Sequence, residues 1–206
     1  LKDLCRNKIQ TLKPKQMKLF KMSTLKTFSG IVLLAVLTSA CGQTNARSKD
    51  QAAVTEPKMD LQTAVISGNL EAVREHISRG SDLDKKDAFS GSSPLITAAT
   101  FDKPKIAKAL IDAGADLSDK NNDGSTALHA AAFFCRVEIV QLLIDAGADK
   151  SILNNFGATA RETVAGPFED VKPIYEMLQQ QLQPMGMPLD ISDVEKTRPV
   201  VAMMLQ

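Results

Sequence analysis

Two histidines, His76 and His129, and three cysteines, Cys5, Cys41 and Cys135, carry the readiest chemistry in this 206-residue chain. No serine stands near them in a nucleophile-elbow context, no group has metal-ligand spacing, and no glycine-rich loop could cradle a phosphate. One stretch does place oxygen ligands at alternate positions. Asp119-Lys-Asn-Asn-Asp123-Gly124 has the opening of a calcium loop. Such a loop needs a bidentate Glu at its twelfth position. Ala130 stands there, inside an alanine-rich helix. Acid–base chemistry would then rest on carboxylates, and the aspartates fall where turns are capped. The expectation is a non-enzymatic protein with no catalytic residue, no metal and no cofactor.

The elements around these residues follow a helical grammar. Gly124 marks a turn, and Thr126 sits at an N-cap position before a short Ala-rich helix. Ile139, Val140, Leu142, Leu143 and Ile144 form the apolar face of a second helix, which Gly147 stops. One such helix pair cannot bury its own apolar face. It needs copies stacked on it.

Copies are present. Leu61, Leu95 and Leu128 lie 34 and 33 residues apart, as do Gly80, Gly114 and Gly147. Thr126 recurs as Thr159. Gly-Ala-Asp closes two units, at Asp116 and Asp149, and Ser-Asp82 closes another. The cores read Ser93-Pro-Leu-Ile-Thr-Ala-Ala99 and Thr126-Ala-Leu-His-Ala-Ala-Ala132. This pattern resembles the ankyrin repeat, whose period is near 33 residues with a Thr-Pro-Leu-His-x-Ala core. The resemblance implies an all-α solenoid of about four helix–turn–helix repeats, at 58–86, 87–120, 121–153 and 154–181. A degenerate capping unit follows at 182–206, because Thr197-Arg-Pro-Val-Val-Ala-Met-Met-Leu205 echoes Lys103-Pro-Lys-Ile-Ala-Lys-Ala-Leu110. Within the fourth repeat, Val171-Lys-Pro-Ile-Tyr-Glu-Met-Leu178 is expected to be the second helix.

The resemblance also implies roles. His129 is read as structural, bonding neighbouring loops. Partner contacts are expected at hairpin tips and on the outer turn of each first helix: Phe89, Ser90, Phe101, Asn122, Asp123, Phe133, Phe134 and Phe156. Five of the six phenylalanines after residue 41 fall in this set. Aromatic rings bury large apolar areas at low entropic cost and are enriched at interface hot spots. Replacing Phe133 and Phe134 by Ala is expected to abolish capture of a protein partner without unfolding the domain.

The first forty residues have another character. Eight Lys and Arg face one acid, Asp3, and an uncharged run from Phe28 to Ala40 follows. A basic segment, a short apolar core and a small-residue site are the parts of a signal peptide, which is expected at 1–40, with translation expected to begin at Met17 or Met22. The apolar run is shorter than the roughly 20 residues that a membrane span needs. Leu37-Thr-Ser-Ala-Cys41-Gly42 resembles a bacterial lipobox, although the Leu lies one position early. The resemblance implies lipid attachment at Cys41, and Gly42 implies sorting to the outer membrane. A secreted chain cut at Ala40 is the alternative. Residues 41–57 are polar and read as the lipidated cysteine and a flexible tether before a repeat domain at 58–206.

Removing the leader changes the charge argument. It holds eight of the 25 basic residues and one of the 24 acidic ones, so 17 basic and 23 acidic residues remain. A net charge of −6 without a cationic stripe argues against nucleic acid. Cys5 would leave with the leader and Cys41 would take lipid, so Cys135 is expected to have no disulfide partner. The expected function is a monomeric, membrane-anchored interaction module of the bacterial cell envelope, facing the periplasm and binding a protein partner. A secreted effector or inhibitor is the second reading, and an enzyme with an unrecognised carboxylate site the third.

Overall fold

The computed structural model describes residues 59–206 apart from 186 and 188. The chain divides into two units, Leu1–Asp50 and Gln51–Gln206, and the described residues all belong to the second. The signal peptide, Cys41 and the tether lie outside them. The described residues hold nine α-helices and no strand. No helix among them is long and apolar enough to cross a membrane.

Three helix pairs come first: α1 (Leu61–Ser67) with α2 (Leu70–Ser78), α3 (Pro94–Thr100) with α4 (Pro104–Asp112), and α5 (Ala127–Phe133) with α6 (Val137–Asp145). Pro94 and Pro104 sit in the first turn of their helices, where an N–H has no helical acceptor to lose. Each pair is joined by one residue in the left-handed region: Gly68 at φ +76°, Asp102 at +53° and Cys135 at +54°. The turn geometry thus recurs at 34 and 33 residues even where glycine does not.

The first helices form one row, α1 on α3 on α5, and the second helices another, α2 on α4 on α6. Leu95, Leu110, Leu128, Ile139 and Leu143 are fully buried between the rows. Alanines line the closest approaches, with Ala98, Ala99, Ala131 and Ala132 all buried. Small residues let neighbouring helices of the first row approach closely, and each unit covers the apolar face of the one before it.

The fourth unit is built differently. Its first helix is a single turn, α7 (Glu162–Ala165), packed on α5. The next helix is α8 (Phe168–Leu182), 15 residues long, which contains the 171–178 stretch. It does not continue the second row. A short 3₁₀ turn follows, and then α9 (Ile191–Met204), which pairs with α7 and packs on α6. The position next to α6 is therefore filled by the last helix, the one that echoed α4 in sequence. The physical reason lies in the apolar registers. Val194, Val201 and Leu205 are buried along α9, whereas α8 fully buries a single side chain, Tyr175. Lys150 holds the end of α9 by donating Nζ to the carbonyls of Met204 and Gln206, at 3.2 and 3.0 Å.

Candidate functional site

Three finger loops project from the N-terminal ends of α3, α5 and α7, and each is wound on one polar side chain. Asp87 accepts from the backbone N–H groups of Phe89, Ser90 and Ser92. Asn121 accepts from those of Asp123 and Ser125, and Asn154 from those of Phe156 and Ala158. Local side-chain acceptors of this kind replace the ladder bonds that such short loops cannot form alone.

The fingers are also tied to each other. Asn122 donates its N–H to the Ser90 carbonyl at 3.0 Å and its Nδ2 to the Phe89 carbonyl at 3.1 Å. Asn155 repeats both bonds one unit on, to Asp123 at 2.9 Å and Asn122 at 3.0 Å. Gly91 and Gly124 are required by this approach. A Cβ at Gly91 would collide with the Oδ1 of Asn122 and one at Gly124 with that of Asn155, and both glycines have positive φ. Lysines add a second tie. Lys86 Nζ reaches the Lys120 carbonyl at 2.8 Å and Lys120 Nζ the Leu153 carbonyl at 2.9 Å. Lys86 also pairs with Asp119 at 2.9 Å, so that carboxylate is committed to the joint between units.

His129 locks a first helix to the next finger. Its Nδ1 lies 3.3 Å from the Thr126 N–H and 2.9 Å from the Thr126 hydroxyl, while Nε2 lies 3.1 Å from the Ala158 carbonyl. This pattern suits the neutral ring with its proton on Nε2, donating to Ala158. Burial, the main cause, holds its pKa below the usual histidine value, and Lys120 acts in the same direction. In the fourth unit Glu162 takes this place, accepting from the Thr159 N–H at 2.8 Å.

The sequence-proposed partner residues separate into three groups. Phe89 and Phe156 stand on the fingers with 95% and 79% of their surface exposed. Asp123 is exposed as well. Ser90 and Asn122 sit at the same tips, but the Ser90 hydroxyl bonds Asp87 and Ser92 and the Asn122 Nδ2 bonds the Phe89 carbonyl. Phe101, Phe133 and Phe134 are half-buried at the far ends of the first helices.

Phe133 belongs to an aromatic stack. Its ring lies 5.0 Å from that of Tyr175 and 5.1 Å edge-on from Phe134, and Phe168 also stacks with Tyr175 at 6.0 Å. Tyr175 is wholly buried and donates its hydroxyl to the Phe133 carbonyl at 2.6 Å. The guanidinium of Arg136 lies over Phe134, 5.9 Å from its centroid, and pairs with Asp102 at 3.4 Å. Its Nε and Nη2 are buried without a hydrogen-bond partner, so the ring face is their main compensation. The expectation that Phe133 and Phe134 can be removed without structural cost therefore does not suit Phe133, which supports α8.

The sequence reading passed over Tyr175 and Arg198. Two signals were available. Tyr175 is the chain's one tyrosine, and Arg198 interrupts the apolar register of Val194 and Val201. Burial also pushes the Tyr175 phenol up to about 12 and the Cys135 thiol up to about 11. Cys135 is thus a neutral, packed thiol at neutral pH rather than a nucleophile.

Stacked helix pairs joined by left-handed turns, with hydrogen-bonded fingers along one edge, define an ankyrin-repeat solenoid. Comparison with known proteins agrees: residues 61–154 match the family described as ankyrin repeats (3 copies). Protein phosphatase 1 regulatory subunit 27 of Homo sapiens and that of Mus musculus are each 42% identical over 64 residues. That alignment covers 31% of this chain and 41% of each relative, so the chain spans about two fifths of their length. Among solved structures, the ankyrin repeat domain of Bcl-3, described as a unique member of the IkappaB protein family, is 33% identical with a TM-score of 0.49. It covers 50% of this chain and 45% of that one. Residues 61–154 carry the ankyrin repeats, and these support a role in protein–protein interaction.

Proposed function

We propose that this chain is a non-enzymatic scaffold that captures a protein partner through its fingers and the adjoining hollow face, while held at a bacterial cell envelope by lipid on Cys41. The supporting observation is the pair of bare rings, Phe89 and Phe156, on fingers whose backbones are cross-tied. A nearly naked phenylalanine contributes nothing to its own fold, yet it could bury most of its area in a partner. Cross-tying reduces the conformational entropy that fingers would lose on binding. The curated relatives are named as regulatory subunits, and a scaffold that regulates the protein it holds fits that description. The lipobox-like stretch supports the envelope anchor.

Photo-crosslinking from positions 89 and 156 in the native host, followed by identification of the bound protein, tests the capture surface. Phe89→Ala with Phe156→Ala should no longer co-purify the partner so identified, which wild type recovers, with the melting temperature unchanged. Full recovery by the double variant defeats the fingertip assignment. Labelling with an alkynyl fatty acid tests the anchor separately: label should enter wild type and be absent from Cys41→Ser. Wild type without label, recovered from the medium, would instead support the secreted effector.

A further inference from the structure

A cavity of about 190 Å³ lies between α7, the start of α8 and α9. Val164, Phe168, Pro199 and Ala202 form apolar walls, Gly166 lies at one side and Arg198 lines it. Arg198 is 3% exposed. Its Nη1 donates to the Tyr175 hydroxyl at 3.0 Å and the Thr163 carbonyl at 3.4 Å, and its Nη2 to the Gly166 carbonyl at 3.3 Å. All three acceptors are neutral, and two of the distances are long. Among the described residues, none of the ion pairs within 4.0 Å includes this guanidinium. A buried cation without a countercharge is costly, and a carboxylate would offset that cost with charge-assisted bonds.

We propose that this cavity binds a small monocarboxylate with an apolar body, its carboxylate meeting Arg198 and its body resting against Val164, Phe168 and Ala202. Size sets the class, since a cavity of about 150 Å³ holds benzene. An acid with a body of five or six carbons fills this cavity. Glu195 also lines it, and its carboxylate disfavours a dianion more than a monoanion. The site is separate from the fingers and does not depend on the proposed capture function.

The full chain reports on itself, because Tyr175, its one tyrosine, is bonded to Arg198 and there is no tryptophan. Titration with cyclopentanecarboxylate, followed by tyrosine emission and by melting temperature, should give a saturable change and a raised melting point. The uncharged cyclopentanecarboxamide should bind about ten-fold or more weakly, as expected when a charged acceptor is lost. Arg198→Gln should abolish the response. Gly166→Leu provides a second route that leaves Arg198 in place. Gly166 lines the cavity wall with a φ of −78°, and a Cβ there would meet nothing within 4 Å, so a larger side chain is accepted at that wall without strain. Loss of binding in Gly166→Leu, with its melting point retained in the absence of ligand, supports the site even if Arg198→Gln fails to fold. Equal binding of the amide, an undiminished response in Gly166→Leu, or no saturable response in wild type would each overturn the proposal.

Discussion

At His129 the pH dependence of stability has a definite sign. The folded ring is held neutral, with its pKa below that of the unfolded residue. Below about pH 6.5 the unfolded state therefore binds more protons than the folded state. The contribution of His129 is present above that value and declines as pH falls from it towards the folded pKa. Urea midpoints measured from pH 8 to pH 5 should decrease through this window. In His129→Gln the decrease should be shallower, with lower stability at pH 8. A second residue-level test uses Asp102, a non-glycine held at φ +53°. Relief of about 1–2 kcal/mol of left-handed strain exceeds about 0.4–1 kcal/mol of added unfolded-state entropy. Asp102→Gly should thus gain about 0.5–1 kcal/mol in chemical denaturation. The ion pair is exposed on the Asp102 side but its Arg136 partner is mostly buried, so loss of the pair offsets part of this gain.

Among the elements, α8 depends on a small aromatic and cationic joint. Tyr175→Phe keeps the stack but leaves the Phe133 carbonyl and one Arg198 donor without that hydroxyl. Such a loss costs about 1–3 kcal/mol. Phe133→Ala should cost about 2 kcal/mol, because its ring is only half-buried and a fully buried one costs about 3–5 kcal/mol. Calorimetry distinguishes these from Phe134→Ala, which should be milder. Cooperativity makes a further prediction for α9. Removing 191–206 bares α6 and deprives α7 of its pair. In a one-dimensional stack the damage is nearest-neighbour. Hydrogen exchange should accelerate in α5, α6 and α7, while α1 to α4 keep most of their protection. Uniform loss through α1 would show that the units do not behave as a stack.

For the described domain taken together, stability and capture should separate along the stack. The fingers carry exposed rings on a rigid hydrogen-bonded edge, and the far ends of the first helices carry packed ones. Phe89→Ala with Phe156→Ala should stay within about 0.5 kcal/mol of wild type, as exposed substitutions generally do. Changes at Phe133 should lower stability whether or not a partner is present. Measuring both quantities on the same variants locates the boundary between gripping surface and core.

Much of this was legible from spacing. A 33-residue recurrence of Leu, Gly and Thr carries the unit, its helix pair and its turn, because each is a local consequence of apolar period, caps and left-handed residues. The structural role of His129 and the projecting tips were implied by the ankyrin resemblance that this recurrence carries. The fourth unit could not be read this way. Residues 171–178 and 197–205 are both plausible second helices by pattern, and only competition for the face of α6 chooses between them. That choice depends on long-range packing, in which Val194 and Val201 fill the joint and Tyr175 is drawn under Phe133. The fate of each phenylalanine was settled there as well, since local sequence specifies an aromatic ring but not what another helix will lay over it.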